Sequence, residues 1–280
     1  MRPLRSEAVS FAATVRKEWQ VLIRYPGNLV TVVVMSVIVP ASFVAQASGF
    51  SGGGDEDAVG AFAARSGTTQ WAGFIYLGWA VYLWISMILW GPGSALRMER
   101  MQGSLEMVHL TPVSRFTVLF GPAVVEMVPA ALLFGAIGGM LKFVFGVPLG
   151  FGQLLAGLLV VLASIPALFA LGGLMAVVAL RFRDAEGITE ALRGVLGVVC
   201  GVTYPIAVLP GWVQPVSERL PPTQVLDLLR EAVLRPSLPD GTGTRLLTLL
   251  VVGTVLGAAA VLALGRALKS ARLTGQMGQF

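Results

Sequence analysis

Long apolar runs constrain this chain more than any other feature. Stretches such as "WAGFIYLGWAVYLWISMILW" and "VLFGPAVVEMVPAALLFGAIGGM" keep no period-2 alternation and carry almost no charge. A run of roughly 20 apolar residues crosses a hydrocarbon core of about 30 Å at 1.5 Å per residue. Inside lipid, only a helix or a closed barrel satisfies its own backbone, and unalternating runs of this length are helices. The composition agrees. Only 12% of the 280 residues are charged, where a soluble domain carries about 25%, and the mean hydropathy is +0.79.

Six spans are predicted, over residues 28–46, 71–90, 118–141, 153–180, 188–209 and 245–264. All fall in a single transmembrane domain covering residues 1–280. Orientation follows from lysine and arginine. With the N-terminus inside, the cytoplasmic segments collect Arg2, Arg5, Arg16, Lys17, Arg24, Arg97, Arg100, Arg115, Arg181, Arg183, Arg193, Arg266, Lys269 and Arg272. The other side holds only Arg65, Lys142, Arg219, Arg230, Arg235 and Arg245. The positive-inside rule therefore puts both termini in the cytoplasm. The N-terminus lacks the early apolar core of a cleaved signal peptide, so insertion is expected to rely on the first span.

Residues 8–25 read as an amphipathic helix lying in the inner interface. Phe11, Val15, Trp19, Leu22 and Ile23 recur at helical spacing, with Arg16, Lys17, Gln20 and Arg24 on the other side. Arg16, Lys17, Glu18 and Trp19 are its candidate contact residues. The Gly-rich acidic stretch between the first two spans, with Asp55-Glu56-Asp57, is expected to be a flexible external loop. After the fifth span, residues 210–244 form an external segment. In it Pro221-Pro222 halt the chain and Thr223 is expected to cap a short helix. Val225, Leu228, Leu229, Ala232 and Val233 would line its apolar face, opposite Asp227, Arg230 and Glu231.

One patch breaks the apolar pattern: "ERMQGSLEMVHLTPVSR", Glu99 to Arg115, between the second and third spans. Gly91-Pro92-Gly93 should loosen the second span at its inner end. Gly103 then breaks the segment, Ser104 can cap, and Leu105–Leu110 can form two turns before Thr111-Pro112. Read from residues alone, this is the solvated loop any polytopic protein needs. A short helix fixed to two spans would also transmit a push from a soluble partner.

Residues 97–116 resemble the coupling segment of ABC-2-type transporter permeases. The motif residues are Glu99, Gly103, Ser104, Leu105, Glu106, Leu110, Pro112 and Ser114, with Arg100 and His109 inside the same stretch. The Pro-rich exit from the fifth span (Pro205, Pro210, Trp212, Leu220, Pro222, then Arg230) and the N-terminal helix ending "RYPG" are also similar to that family. Gly121-Pro122 departs from a Gly-Lys common there. The resemblance implies an all-α integral membrane protein with six transmembrane helices, like the type V exporters. It has an N-terminal interfacial helix, a cytoplasmic coupling helix between spans 2 and 3, and a short external helix between spans 5 and 6. It further implies the permease of a drug, antibiotic, polysaccharide or lipid exporter, daunorubicin-resistance-like, in the cell membrane. Such a permease pairs with a second permease chain and two copies of an ABC ATPase, which binds the ATP and Mg. The chain lacks G-x-x-x-x-G-K-[ST], so no ATPase activity of its own is expected.

Glu126, within the third span, supports a rival reading. A charge at mid-bilayer costs about 2.5–3.5 kcal/mol on insertion scales and is a functional candidate. Glu126 could serve a proton-coupled carrier, or sit hydrated or paired near the interface. Glu190 and Arg193, three apart, should form an ion pair, and Lys142 can snorkel. One histidine and one cysteine make neither a metal site nor a disulfide. Cys200 reads as packing, "GGLMAVVAL", "GVLGVVCG" and "GTVLGAAAVLALG" as close-packing stretches, and no nucleic-acid module is present.

Overall fold

The computed structural model describes residues 4–50, 56–101, 115–182, 185–235 and 239–273. Every regular element among them is helical. In chain order these are α1 (Leu4–Arg24), α2 (Pro26–Phe50), α3 (Glu56–Ser66), α4 (Trp71–Met101), α5 (Arg115–Phe143), α6 (Phe151–Arg181) and α7 (Ala185–Val199). A 3-10 turn at Ile206–Val208 follows, then α8 (Gln214–Arg219), α9 (Pro221–Leu234) and α10 (Thr242–Leu273).

Five of these helices, α2, α4, α5, α6 and α10, are long and apolar enough to cross a membrane. They match five of the six predicted spans. The predicted fifth span, residues 188–209, is the exception. α7 has 15 residues, about 22 Å of helix, which falls short of a 30 Å core. It stops because Gly201 takes φ +65°, a left-handed conformation that terminates helices at low cost for glycine. The predicted Glu190–Arg193 pair forms on this helix at 2.8 Å.

α4 is the hub. Its membrane window is 72% buried within the chain, against 11% for α2. Tyr76, Trp84, Ile88 and Leu89 of α4 meet Leu133, Ile137 and Leu141 of α5 and Leu168 of α6. α6 lies against α4, α9 and α10, while α5 receives α1 and α2. The α6–α10 crossing is tight. A Cβ on Gly253 would stand 2.6 Å from the Ala167 amide nitrogen, and one on Gly173 would stand 3.0 Å from Ala260 Cβ. Small residues thus bring these backbones together within the bundle, as the sequence pattern predicts.

Three local expectations are corrected. Gly91-Pro92-Gly93, expected to loosen the second span, leave α4 an unbroken helix to Met101. A proline removes one backbone donor, and membrane helices tolerate this where neighbours support the chain. Part of the expected loop between the first two spans is α3, with Glu56 and Asp57 in its first turn and Arg65 in its last. Those charges suit the helix dipole, and Phe62 packs edge-on against Phe74 at 5.3 Å. Finally, α9 is capped by Leu220 with proline at its first position, not by Thr223, an arrangement that proline's fixed φ favours.

Candidate functional site

The helices have two ends. α1, the C-terminal end of α4 and the start of α5 share the proximal end. The start of α4, the α5–α6 hairpin and α9 share the distal end.

At the proximal end, α1 packs along the start of α5. The contact centres on Gly121, where a Cβ would stand 2.7 Å from Thr14 Cγ2. Pro122, the departure from the common Gly-Lys, directly follows this contact. Phe11, Thr14, Val15, Glu18 and Leu22 form the half-buried face of α1, and Arg16 and Lys17 are exposed. The predicted apolar residues thus divide: Phe11, Val15 and Leu22 turn toward the bundle, while Trp19 is 45% and Ile23 61% exposed. Trp19, Ile23 and Tyr25 together present an apolar, aromatic edge of the kind that sits at headgroup level. Glu18, one of the candidate contact residues, is half-buried and lies 3.6 Å from Lys17 Nζ.

α4 carries the backbone of Glu99 and Arg100 about 15 Å past the predicted end of its span at Trp90. Gly103, Ser104, Leu105, Glu106, His109 and Pro112, with the short helix expected at Leu105–Leu110, lie outside the described residues. The described part of the coupling segment therefore continues α4 as helix to Met101.

Glu126 lies one close contact from α4. Its Oε1 stands 2.6 Å from where a Cβ on Gly91 would be, so glycine makes room for the carboxyl group. Its Oε2 is buried with no hydrogen-bond partner among the described residues. Glu18 of α1 is the charged group felt at this position. The structure thus brings together two residues that the sequence names separately, and it gives Glu126 no described ion-pair partner.

The distal end holds a residue that sequence reasoning misplaced. Arg230 was expected on the polar, solvent-facing side of its helix, yet it is buried. Its Nε and Nη2 both donate to the Phe74 carbonyl at 3.3 Å. Nη2 also donates to Gly201 O at 3.0 Å and Val202 O at 2.8 Å. The guanidinium carbon lies 3.3 Å from the Phe74 ring centroid, within cation–π range. Gly78 permits this arrangement, since a Cβ there would meet Val202 O and Arg230 Nη2. One side chain thus ties α9 to the first turn of α4 and to the break after α7. Burial lowers the Arg230 pKa to about 9, with Asp227 opposing the shift, and the group stays cationic at neutral pH. Burial raises the Asp227 pKa, against the pull of Arg230 and Arg245. Arg245 of α10 closes on Glu231 at 2.6 Å.

The sequence signal for this latch was present. An arginine three residues after an aspartate, on a helix with Val225, Leu226, Leu228 and Leu229 buried, has too little polar face to reach solvent. Among the described residues, no three His, Cys, Asp or Glu side chains cluster as metal ligands, and Cys200 is a buried free thiol.

No curated protein sequence matches the chain. The family model described as ABC-2 type transporter matches residues 9–234, which take in most of α1, α2 through α9 and the whole candidate coupling segment. The chain therefore belongs to the ABC-2 type transporter family, and is the multi-pass membrane permease component of an ABC transporter in a family whose permeases generally pair with an ABC ATPase subunit.

Proposed function

We propose that the chain is the permease of an ATP-driven exporter in the cell membrane, with both termini cytoplasmic, working as two permease chains with two ATPase subunits. The observation that carries this reading is the continuity of α4. It runs without interruption over 31 residues, with Phe74 under the Arg230 latch in its first turn and Glu99 and Arg100 near its proximal end. A push delivered to the 97–116 segment would travel along this rod to the distal end, and α1 on α5 offers the same partner a second foothold. ATP and Mg would be bound by the partner, with nothing hydrolysed by this chain.

The cargo class is amphipathic or apolar. Spans with so little charge in their interior offer few groups to replace the hydration of a small ion. Export reconstituted in liposomes with the partner ATPase should require ATP and stop with vanadate. Transport that persists without the ATPase and collapses with the proton gradient would reject the proposal. One observation favours that rival: the buried, unpaired Oε2 of Glu126. Glu126→Gln distinguishes the two readings. A proton-coupled carrier loses transport with ATP hydrolysis intact, whereas the exporter retains both.

A further inference from the structure

Glu190 and Arg193 meet at 2.8 Å on α7, yet both stay open on the outside of the chain, 46% and 35% exposed. Two contacts fix how deep they lie. The Thr189 hydroxyl stands 3.9 Å from Met175 Sδ, inside the membrane window of α6, which ends at Val178. Further along α7, a Cβ on Gly197 would stand 3.0 Å from the Tyr82 ring, next to the middle of the α4 window Trp71–Gly91. At 1.5 Å per residue, the proximal edge of that window lies about 15 Å from its middle, Arg193 about 6 Å and Glu190 about 10 Å. Arg193 therefore sits about 9 Å and Glu190 about 5 Å inside the apolar layer.

Lipid is a poor cover for such a pair. Charged side chains at membrane depth are costly and almost always face protein or water. Arg193 does not snorkel away, because its Nη2 is held by a carboxylate that itself lies inside the apolar layer. The chain's own bundle does not cover the pair either, since α7 packs on α4 and α6 through Ala185, Thr189 and Leu196. The exposed pair is instead its own complement: one acid and one base, about 4.5 Å apart along the helix. Two copies related by a two-fold axis along the membrane normal hold identical residues at equal depth. Each Glu190 then lies within side-chain reach of the partner's Arg193. Gly194, beside the pair, leaves room for the approach, as a Cβ there would meet nothing within 4 Å among the described residues.

We propose that α7 faces α7 of a second copy of this chain, with Glu190 of each copy paired to Arg193 of the other. The proposal rests on the reading of two permease chains per transporter and deepens it, naming the second chain as a copy of the first. A different permease would need its own base and acid at these two depths, and a water-filled groove would need no partner at all.

The test uses the full chain with either of two affinity tags, both forms co-expressed without an ATPase, and measures how much of one tag co-purifies with the other. The native tags should co-purify. Glu190→Arg leaves two bases on α7 and Arg193→Glu leaves two acids. Each variant alone sets like charges against like, so pairing should fall about tenfold or more. Glu190→Arg co-expressed with Arg193→Glu should pair as the native chain does, although the ion pair within each chain is broken. Only contacts between copies can produce that recovery. Three results would overturn the proposal: native tags that stay apart, native pairing in either variant alone, or a mixture no better than its parts. Should the charge variants fail to insert, Gly194→Cys in a Cys200→Ala background decides in open membrane fragments. Oxidation should give a disulfide-linked dimer, whereas labelling by a hydrophilic maleimide without cross-linking would assign the face to water and overturn the proposal. ATP-dependent export by complexes in which the two tags never meet would sink the proposal and keep the exporter reading. A dimer that transports without ATP would do the reverse.

Discussion

Arg230→Met removes the cation that joins three backbone segments while keeping much of the side-chain volume. Three carbonyls lose their donor: Phe74 O, Gly201 O and Val202 O. A hydrogen bond to a charged group contributes about 1.5–3 kcal/mol, and an orphaned buried acceptor costs about 1–3 kcal/mol. The stacked guanidinium adds about 2 kcal/mol when desolvated. Against these losses stands the cost of burying the arginine itself, which the substitution relieves. Breaking one member of a buried charged set leaves a net deficit of about 3–5 kcal/mol. A value near 4 kcal/mol lowers the melting temperature by about 8–16 °C for a chain of this class. The assay is loss of the monodisperse peak on size-exclusion chromatography after heating in detergent. Arg230→Lys should fall between, because one ammonium cannot span Phe74 O and Val202 O as a planar guanidinium does. A melting temperature for Arg230→Met within about 2 °C of the parent would refute the reasoning. The carbonyls would then be served by other groups.

Further outcomes follow from individual contacts. Gly121→Ala places a Cβ 2.7 Å from Thr14 Cγ2, so ATPase co-purification should drop, and Thr14→Ser, which deletes that methyl group, should restore it. Glu106→Lys and Gly103→Pro should weaken ATPase co-purification without preventing insertion, which a pull-down beside a membrane-fraction blot checks. Gly253→Val drives a branched side chain into the Ala167 backbone and should destabilise the α6–α10 pair by several kcal/mol, as overpacking does, read as a lower melting temperature. Burial raises the Asp227 pKa, so the folded state holds more protons than the unfolded one just above the ordinary aspartate range. Stability should fall as pH rises through that interval, and Asp227→Asn should flatten the dependence in a melting-temperature series.

Periodicity and length made the long helices legible, because lipid-crossing runs need little tertiary context. Residues 28–46, 71–90, 118–141, 153–180 and 245–264 each fall within or nearly within one observed helix. Over residues 188–209 hydropathy stays high but the backbone turns: the helix ends at Val199, and Gly201 and Pro205 turn the chain within a largely apolar sequence. The face of α9 was read correctly for Val225, Leu228, Leu229, Ala232 and Val233. Arg230 carries a charge that in sequence suggests solvent, whereas Gly201 O and Val202 O at the break after α7, with Phe74 O in the first turn of α4, supply it with partners inside. α1 shows the converse. Trp19, expected on an interfacial helix, is exposed there, while a neighbour with a glycine at its crossing point accepts Thr14 and sets which face of α1 meets the bundle. The proximity of Glu18 to Glu126 depends on that choice of face, so no spacing rule could have given it. Most of the candidate coupling residues lie outside the described segments, and their reading rests on the sequence motif.

The unbroken course of α4 also sets the size of the motion it can deliver. A straight helix of 31 residues is about 46 Å long. Seesawing by about 10° around its midpoint would swing each tip through about 4 Å. Gly78 and Gly91 each lie where even a methyl group would collide. These two notches, one on either side of the pivot, are where such a swing would first meet resistance.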